Sequence, residues 1–172
     1  MKLKNLFTGM VMSVSLVAGL ACCSTDVATA DYNVIPLPQE IVTEDGPDFL
    51  LDSSTSIYYS ANDTSLRRDA ELLSEYLEDL TGNRLQIVND MPDRGYVELS
   101  LGYESSNPEA YNINVDKNRI LICGATSAGV FYGIQTLRKS IPPSSKKQNV
   151  KFSPVDISDF PRFSYRGAHL DV

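Results

Sequence analysis

Histidine is scarce in this chain: His169 is the sole one among 172 residues. A metal centre built on several imidazoles is therefore excluded within the sequence. Cysteine is scarce as well, at three, and two of these, Cys22 and Cys23, stand side by side near the N-terminus. Cys123 is then left alone, so there is no disulfide framework. It lies in the strand-like run Ile120-Leu121-Ile122-Cys123-Gly124, and the expectation is a buried, inert thiol. The chain has no C-x-x-C pair, no zinc-ligand spacing, no glycine-rich phosphate loop and no G-x-S-x-G elbow, and no cofactor is implied. Basic charge is in deficit, with Lys+Arg at 15 against Asp+Glu at 22 and a net charge of −7. Loss of Lys2 and Lys4 with an N-terminal leader would take −7 to −9. Such a surface gains nothing from a phosphate backbone, which argues against nucleic acid as a partner.

What is present begins with that leader. Lys2 and Lys4 form a charged start, Leu6 to Ala21 an apolar run, and Cys22 and Cys23 follow. The run is short for a membrane span and suits a signal peptide. Leu20-Ala21-Cys22 resembles a bacterial lipobox, in which the cysteine becomes the lipidated first residue. Cys22 fits better than Cys23, because small Ala21 precedes it. An ordinary secretory signal that happens to contain cysteines is the alternative. The expected organisation is a leader over 1–22 and a polar tether over 23–31. A domain over 32–155 and a linker with one further strand over 156–172 complete it. The expected location is the bacterial cell envelope, with lipid as the only membrane contact.

Within 32–155 the apolar pattern alternates between two periods. Leu66, Ala70, Leu73, Tyr76, Leu77 and Leu80 recur at helical spacing and predict a helix over 66–80. Asp63 to Ser65 offer N-caps and Gly82 a stop. Arg67, Arg68, Glu71, Glu75, Glu78 and Asp79 read as its solvated face. A second helix runs from Ser127 to about Lys139, capped by Thr126. In it Gly129 and Gly133 leave room for another backbone. Gln135, Arg138 and Lys139 exclude a membrane dimer motif. Strand patterns fall at 49–52, 56–60, 85–88, 97–101, 111–115, 119–123 and 150–152. Asp116-Lys117-Asn118 joins two of them as a hairpin. Pro36 and Pro38 make 34–42 an extended edge segment. Seven or so strands around two helices predict an α+β fold: a mainly antiparallel sheet with one face under both helices.

The end of the chain carries the most specific pattern. Phe160-Pro161-Arg162-Phe163-Ser164-Tyr165-Arg166-Gly167-Ala168-His169-Leu170-Asp171-Val172 reads as the start of a strand with an arginine set in it. Three further stretches accompany it: Val34-Ile35-Pro36-Leu37-Pro38-Gln39, Tyr111-Asn112-Ile113-Asn114-Val115, and Ala128-Gly129-Val130-Phe131-Tyr132-Gly133-Ile134-Gln135-Thr136-Leu137. Together they resemble the N-terminal region of the family 20 glycoside hydrolases, the β-N-acetylhexosaminidases. In that family a small α+β domain precedes a (β/α)8 barrel. The resemblance implies that Arg166 opens the first barrel strand and bonds hydroxyls of the non-reducing N-acetylglucosamine or N-acetylgalactosamine. A guanidinium suits this, because its planar fork grips two vicinal oxygens. A structural salt bridge is the other reading of Arg166. Asp171 is expected to be structural, and His169 to serve packing or support.

The reaction implied is substrate-assisted retaining hydrolysis. The substrate's acetamido oxygen attacks the anomeric carbon, and an adjacent aspartate–glutamate pair orients the acetamido group and protonates the leaving oxygen. The adjacent acidic pairs in this chain, Glu44-Asp45 and Glu78-Asp79, do not match that motif. The chain by itself is therefore expected to be inactive, the barrel being truncated after its first strand. Other readings are a glycan- or partner-binding lipoprotein, or a related sugar hydrolase that shares the front domain.

Overall fold

The computed structural model describes residues 27–143, 148–163 and 165–169. The leader, Cys22 and Cys23 fall outside them, as do Leu170, Asp171 and Val172. No helix among the described residues is long and apolar enough to cross a membrane.

The strands are β1 (Val27–Thr29), β2 (Glu40–Thr43), β3 (Phe49–Leu51), β4 (Ser56–Tyr59), β5 (Gln86–Val88), β6 (Tyr96–Leu101), β7 (Tyr111–Val115), β8 (Arg119–Gly124), β9 (Asn149–Phe152) and β10 (Val155–Asp159). The helices are α1 (Arg67–Thr81), between β4 and β5, and α2 (Ser127–Ser140), between β8 and β9. Seven strands form the main sheet in the order β2-β10-β7-β8-β6-β4-β5, and a second, three-stranded sheet has the order β1-β9-β3.

The α+β class holds, but the strand directions differ from a mainly antiparallel sheet. Pairings β2–β10, β10–β7 and β7–β8 are antiparallel, while β8–β6, β6–β4 and β4–β5 are parallel. The cause is α1. A helix between two strands carries the chain back across the sheet, so β4 and β5 must run the same way. The hairpin at 116–118 is as expected, with Asp116 Oδ1 accepting from the Asn118 amide.

Two expected boundaries are overturned. Asp156 to Pro161 was expected as linker, yet Val155–Asp159 is an inner strand held by β2 on one side and β7 on the other. Val155 and Ile157 enter the core between polar neighbours, as a half-buried strand requires. The expected tether also contains a strand, since β1 pairs in parallel with β9. Conversely, Phe163 and Tyr165 to His169 form no strand, so no barrel strand is seen among the described residues.

Leu66, at the end of the preceding 3-10 turn, and Ala70, Leu73 and Leu77 of α1 are wholly buried in one core with Ile57, Val97 and Leu99. Each such leucine contributes about 1.5–3 kcal/mol through burial. The expected N-cap does not form: a 3-10 turn over Thr64–Leu66 leads into α1, and no side chain caps either. Gly82 ends the helix at φ 77°, its N–H bonded to the Glu78 carbonyl. Thr126 caps α2 as expected, its hydroxyl accepting from the Ala128 amide at 3.2 Å. Gly129 lets α2 rest on the Ala110 carbonyl, where a Cβ would overlap the oxygen. The helices meet at Asp69, which accepts a bond from Ser127 Oγ at 2.7 Å.

The other face of the main sheet carries polar residues. Asn112 and Asn114 of β7 both donate to the Asp156 carboxylate of β10, at 2.8 and 3.3 Å. Cys123 lies on this face, half-buried where full burial was expected, and burial pushes its thiol up.

Candidate functional site

A groove of about 600 Å³ opens where α2, the 36–39 loop and the segment after β10 converge. Helix α2 contributes Tyr132, Gln135 and Lys139, and the loop before β7 contributes Glu109. The end of β10 contributes Asp159, and the following segment brings Phe160, Phe163 and Arg166.

Arg166 is the best-connected side chain there. Its Nη2 donates to Glu109 Oε1 and Oε2, at 3.0 and 2.9 Å, and lies 3.1 Å from the Tyr132 hydroxyl. Its Nη1 donates to the Phe163 carbonyl at 2.9 Å. The guanidinium carbon also stands 5.6 Å from the centre of the Tyr132 ring. The Glu109 hydrogen bond, followed by that of Tyr132, holds the Arg166 pKa above its ordinary value.

The groove floor is a second network. Tyr111 reaches Asp159 Oδ2 at 3.1 Å and lies 2.6 Å from Thr136 Oγ1. Burial is the main force raising the phenol pKa; the Asp159 charge adds to it and the Thr136 bond opposes it. Tyr111 is thus a neutral donor. Asp159 Oδ1 accepts from the Gln39 amide, and Lys139 Nζ donates to the Ile35 carbonyl. Among the described residues the Gln135 amide nitrogen is buried without an acceptor.

Of the residues singled out in the sequence, Arg166 lies in this groove, and Glu44-Asp45 and Glu78-Asp79 do not. Glu78 pairs instead with Arg84 on the helix surface. His169, expected to serve packing or support, is exposed. Sequence reasoning missed Glu109, Tyr132, Gln135 and Asp159. One signal was available: Tyr132, Gln135 and Lys139 recur at three- and four-residue spacing along α2, opposite its core stripe.

Fold and groove together define an α+β domain whose site is framed by α2 and the last strand in the chain. Residues 31–160 match Glycosyl hydrolase family 20, domain 2, and the chain belongs to that family. It is 34% identical over 149 residues to a beta-hexosaminidase of Porphyromonas gingivalis, covering 81% of this chain and 18% of that protein. It is 27% identical over 144 residues to a beta-N-acetylhexosaminidase of Cellulomonas fimi, covering 83% of this chain and 29% of that protein. Among solved structures, the family 20 beta-N-acetylhexosaminidase of Streptomyces coelicolor A3(2) superposes with a TM-score of 0.67 at 26% identity. That match covers 77% of this chain and 27% of the other. The chain therefore spans less than a third of the length of these relatives.

Proposed function

We propose that this chain is the front part of an exported β-N-acetylhexosaminidase. The complete protein removes terminal non-reducing N-acetylhexosamine from glycans by substrate-assisted retaining hydrolysis. The family match over 31–160, joined to the likeness to a beta-hexosaminidase of which the chain covers 18%, carries this reading. The catalytic acid and the acetamide-orienting carboxylate come from the part these relatives carry beyond this domain. Cys22 anchors the mature protein to the bacterial envelope, and no cofactor takes part. The test is release of an aryl group from an aryl N-acetylglucosaminide. The complete protein should turn it over and this chain alone should not; turnover by the purified chain would overturn the division of labour.

In this reading Arg166 contacts hydroxyls of the terminal sugar. One observation favours a second reading for that residue: its guanidinium is already bonded to the Glu109 carboxylate and the Tyr132 hydroxyl. In the second reading Arg166 is a structural clamp between the 161–169 segment and the domain. The Arg166→Lys variant described below separates the two.

A further inference from the structure

We infer that the outer face of the β1-β9-β3 sheet is seated on the bilayer that holds the Cys22 lipid. The inference rests on the anchor in the functional reading above and goes beyond it, from attachment to a membrane-facing surface.

The length of the tether comes first. A polar tether over 23–31 was expected, but β1 already starts at Val27. This strand pairs in parallel with β9, and Ala28 packs against the core. The Ala30 amide donates to the Lys151 carbonyl at 2.8 Å, which continues the ladder. Only Cys23 to Asp26 then separate Cys22 from β1. A chain spans at most about 3.3–3.6 Å per residue, so Cys22 and Val27 are never more than about 18 Å apart. A domain of this size has a radius of gyration of about 14 Å, hence a larger width than that reach. The lipid therefore keeps the start of β1 close to the bilayer.

The register decides which residues face outwards there. Val150 and Phe152 of β9 are buried, as are Leu51 and Phe49 of β3 opposite them. The alternate positions point the other way. Lys151 stands between Thr29 on β1 and Leu50 on β3, and Asn149 lies beside Val27. Val27 and Leu50 are 40 and 41% exposed. None of these five residues is acidic, in a chain with a net charge of −7.

That composition suits the boundary between headgroups and acyl chains. Val27 and Leu50 offer apolar surface, and Lys151 lays its stem along such a surface while its ammonium meets the phosphates. Asp48 and Asp52 flank β3, so the face is no basic patch that would recruit a membrane unaided. The lipid does the recruiting. A tether this short gives the face a high effective concentration at the bilayer, and weak contacts then suffice.

Acetylation of lysines by a water-soluble, membrane-impermeant ester, read by mass spectrometry, tests the seating. The complete lipidated protein is placed in vesicles of phosphatidylcholine and phosphatidylglycerol and separated by flotation. The same protein begun at Ser24, mixed with the same vesicles, is the comparison. Lys117, exposed in the β7–β8 turn, is the internal reference, which cancels any protein sealed inside. On vesicles the rate at Lys151 relative to Lys117 should fall about fivefold from its value in the protein begun at Ser24. Leu50→Glu should restore most of that rate without changing flotation. An equal ratio in the floated and the untethered protein overturns the seating and leaves the anchor standing, and protection of Lys151 that survives Leu50→Glu overturns it as well. Failure of the complete protein to float sinks the anchor, and the seating with it.

Discussion

Arg166 and Glu109 are 57 positions apart, yet Nη2 of the first lies within 3.0 Å of both carboxylate oxygens of the second. The pair joins the segment after the last strand to the loop before β7. Both side chains keep substantial solvent exposure, at 41 and 29%. An ion pair this exposed is screened by solvent and adds little to stability. That weakness makes the residue's two readings separable.

For the complete enzyme, Arg166→Lys should lower kcat/KM for an aryl N-acetylglucosaminide and leave the melting point nearly unchanged. Lysine keeps the charge and loses the fork. Losing a charged hydrogen bond costs about 1.5–3 kcal/mol, or roughly a 10- to 150-fold fall in kcat/KM. Efficiency within about twofold of the parent, together with a lower melting point, would assign Arg166 to the Glu109 clamp alone.

Asp69→Asn should stabilise the fold near neutral pH and lose that advantage in acid. Burial raises the Asp69 pKa above its ordinary 3.8, against the opposing Ser127 hydrogen bond and the Arg68 charge. A carboxyl whose folded pKa is raised resists ionisation, so it costs stability once pH climbs past the unfolded value. The cost grows from pH 3.8 up through the raised folded value and is then constant. Asparagine keeps an oxygen for Ser127 and carries no charge. Urea midpoints of parent and variant should therefore converge below pH 3.8 and separate above it; a constant gap across the range would contradict the burial argument.

Gly129→Ala should destabilise by about 1–3 kcal/mol, in the manner of overpacking. Alanine inside a helix normally gains about 0.5–1 kcal/mol over glycine. Here the added Cβ meets the Ala110 carbonyl, a backbone atom that cannot swing away. The clash outweighs the propensity. Chemical denaturation measures the sign directly, and a stabilised variant would show that α2 can lift from β7 at little cost.

Cys22→Ser should move the mature protein from the membrane fraction to the soluble envelope fraction. Lipidation needs the thiol, and Leu20-Ala21-Cys22 supplies it after a small residue. Cell fractionation with an immunoblot reads the result. Retention unchanged by the substitution would point to Cys23 or to no lipid at all.

These outcomes bear on unequal parts of what the sequence makes legible. Helix α1 is legible because Leu66, Ala70, Leu73 and Leu77 repeat at the helical period and bury one stripe. The β7–β8 hairpin is legible because its turn is local. Strand β10 is hidden: Val155 and Ile157 are too few to establish an alternation, and Pro154 and Pro161 frame them like a linker. The parallel pairings are hidden because alternation reports which face is buried and says nothing of direction. Ser56 to Val88, read as one strand–helix–strand unit, would have exposed the first of them. In the site, Arg166 stands out by its local run of residues. Glu109 does not, since only the folded chain brings it to Arg166.

The place of β10 in the main sheet also sets an order on the ribosome. Strand β2 is made early, yet its partner in that sheet is β10, whose residues are translated more than a hundred codons later. Until Val155–Asp159 emerges, Glu40–Thr43 has no neighbour, and the outer edge of β7 stays open. The nascent chain therefore carries an unpaired β2, and later the open edge of β7, until β10 is made, and each can recruit strands from other chains. Insertion of β10 closes the β7 edge and gives β2 its neighbour at once. The last strand of the domain is in this sense its keystone, and any arrest of translation shortly before it yields a product with both edges bare.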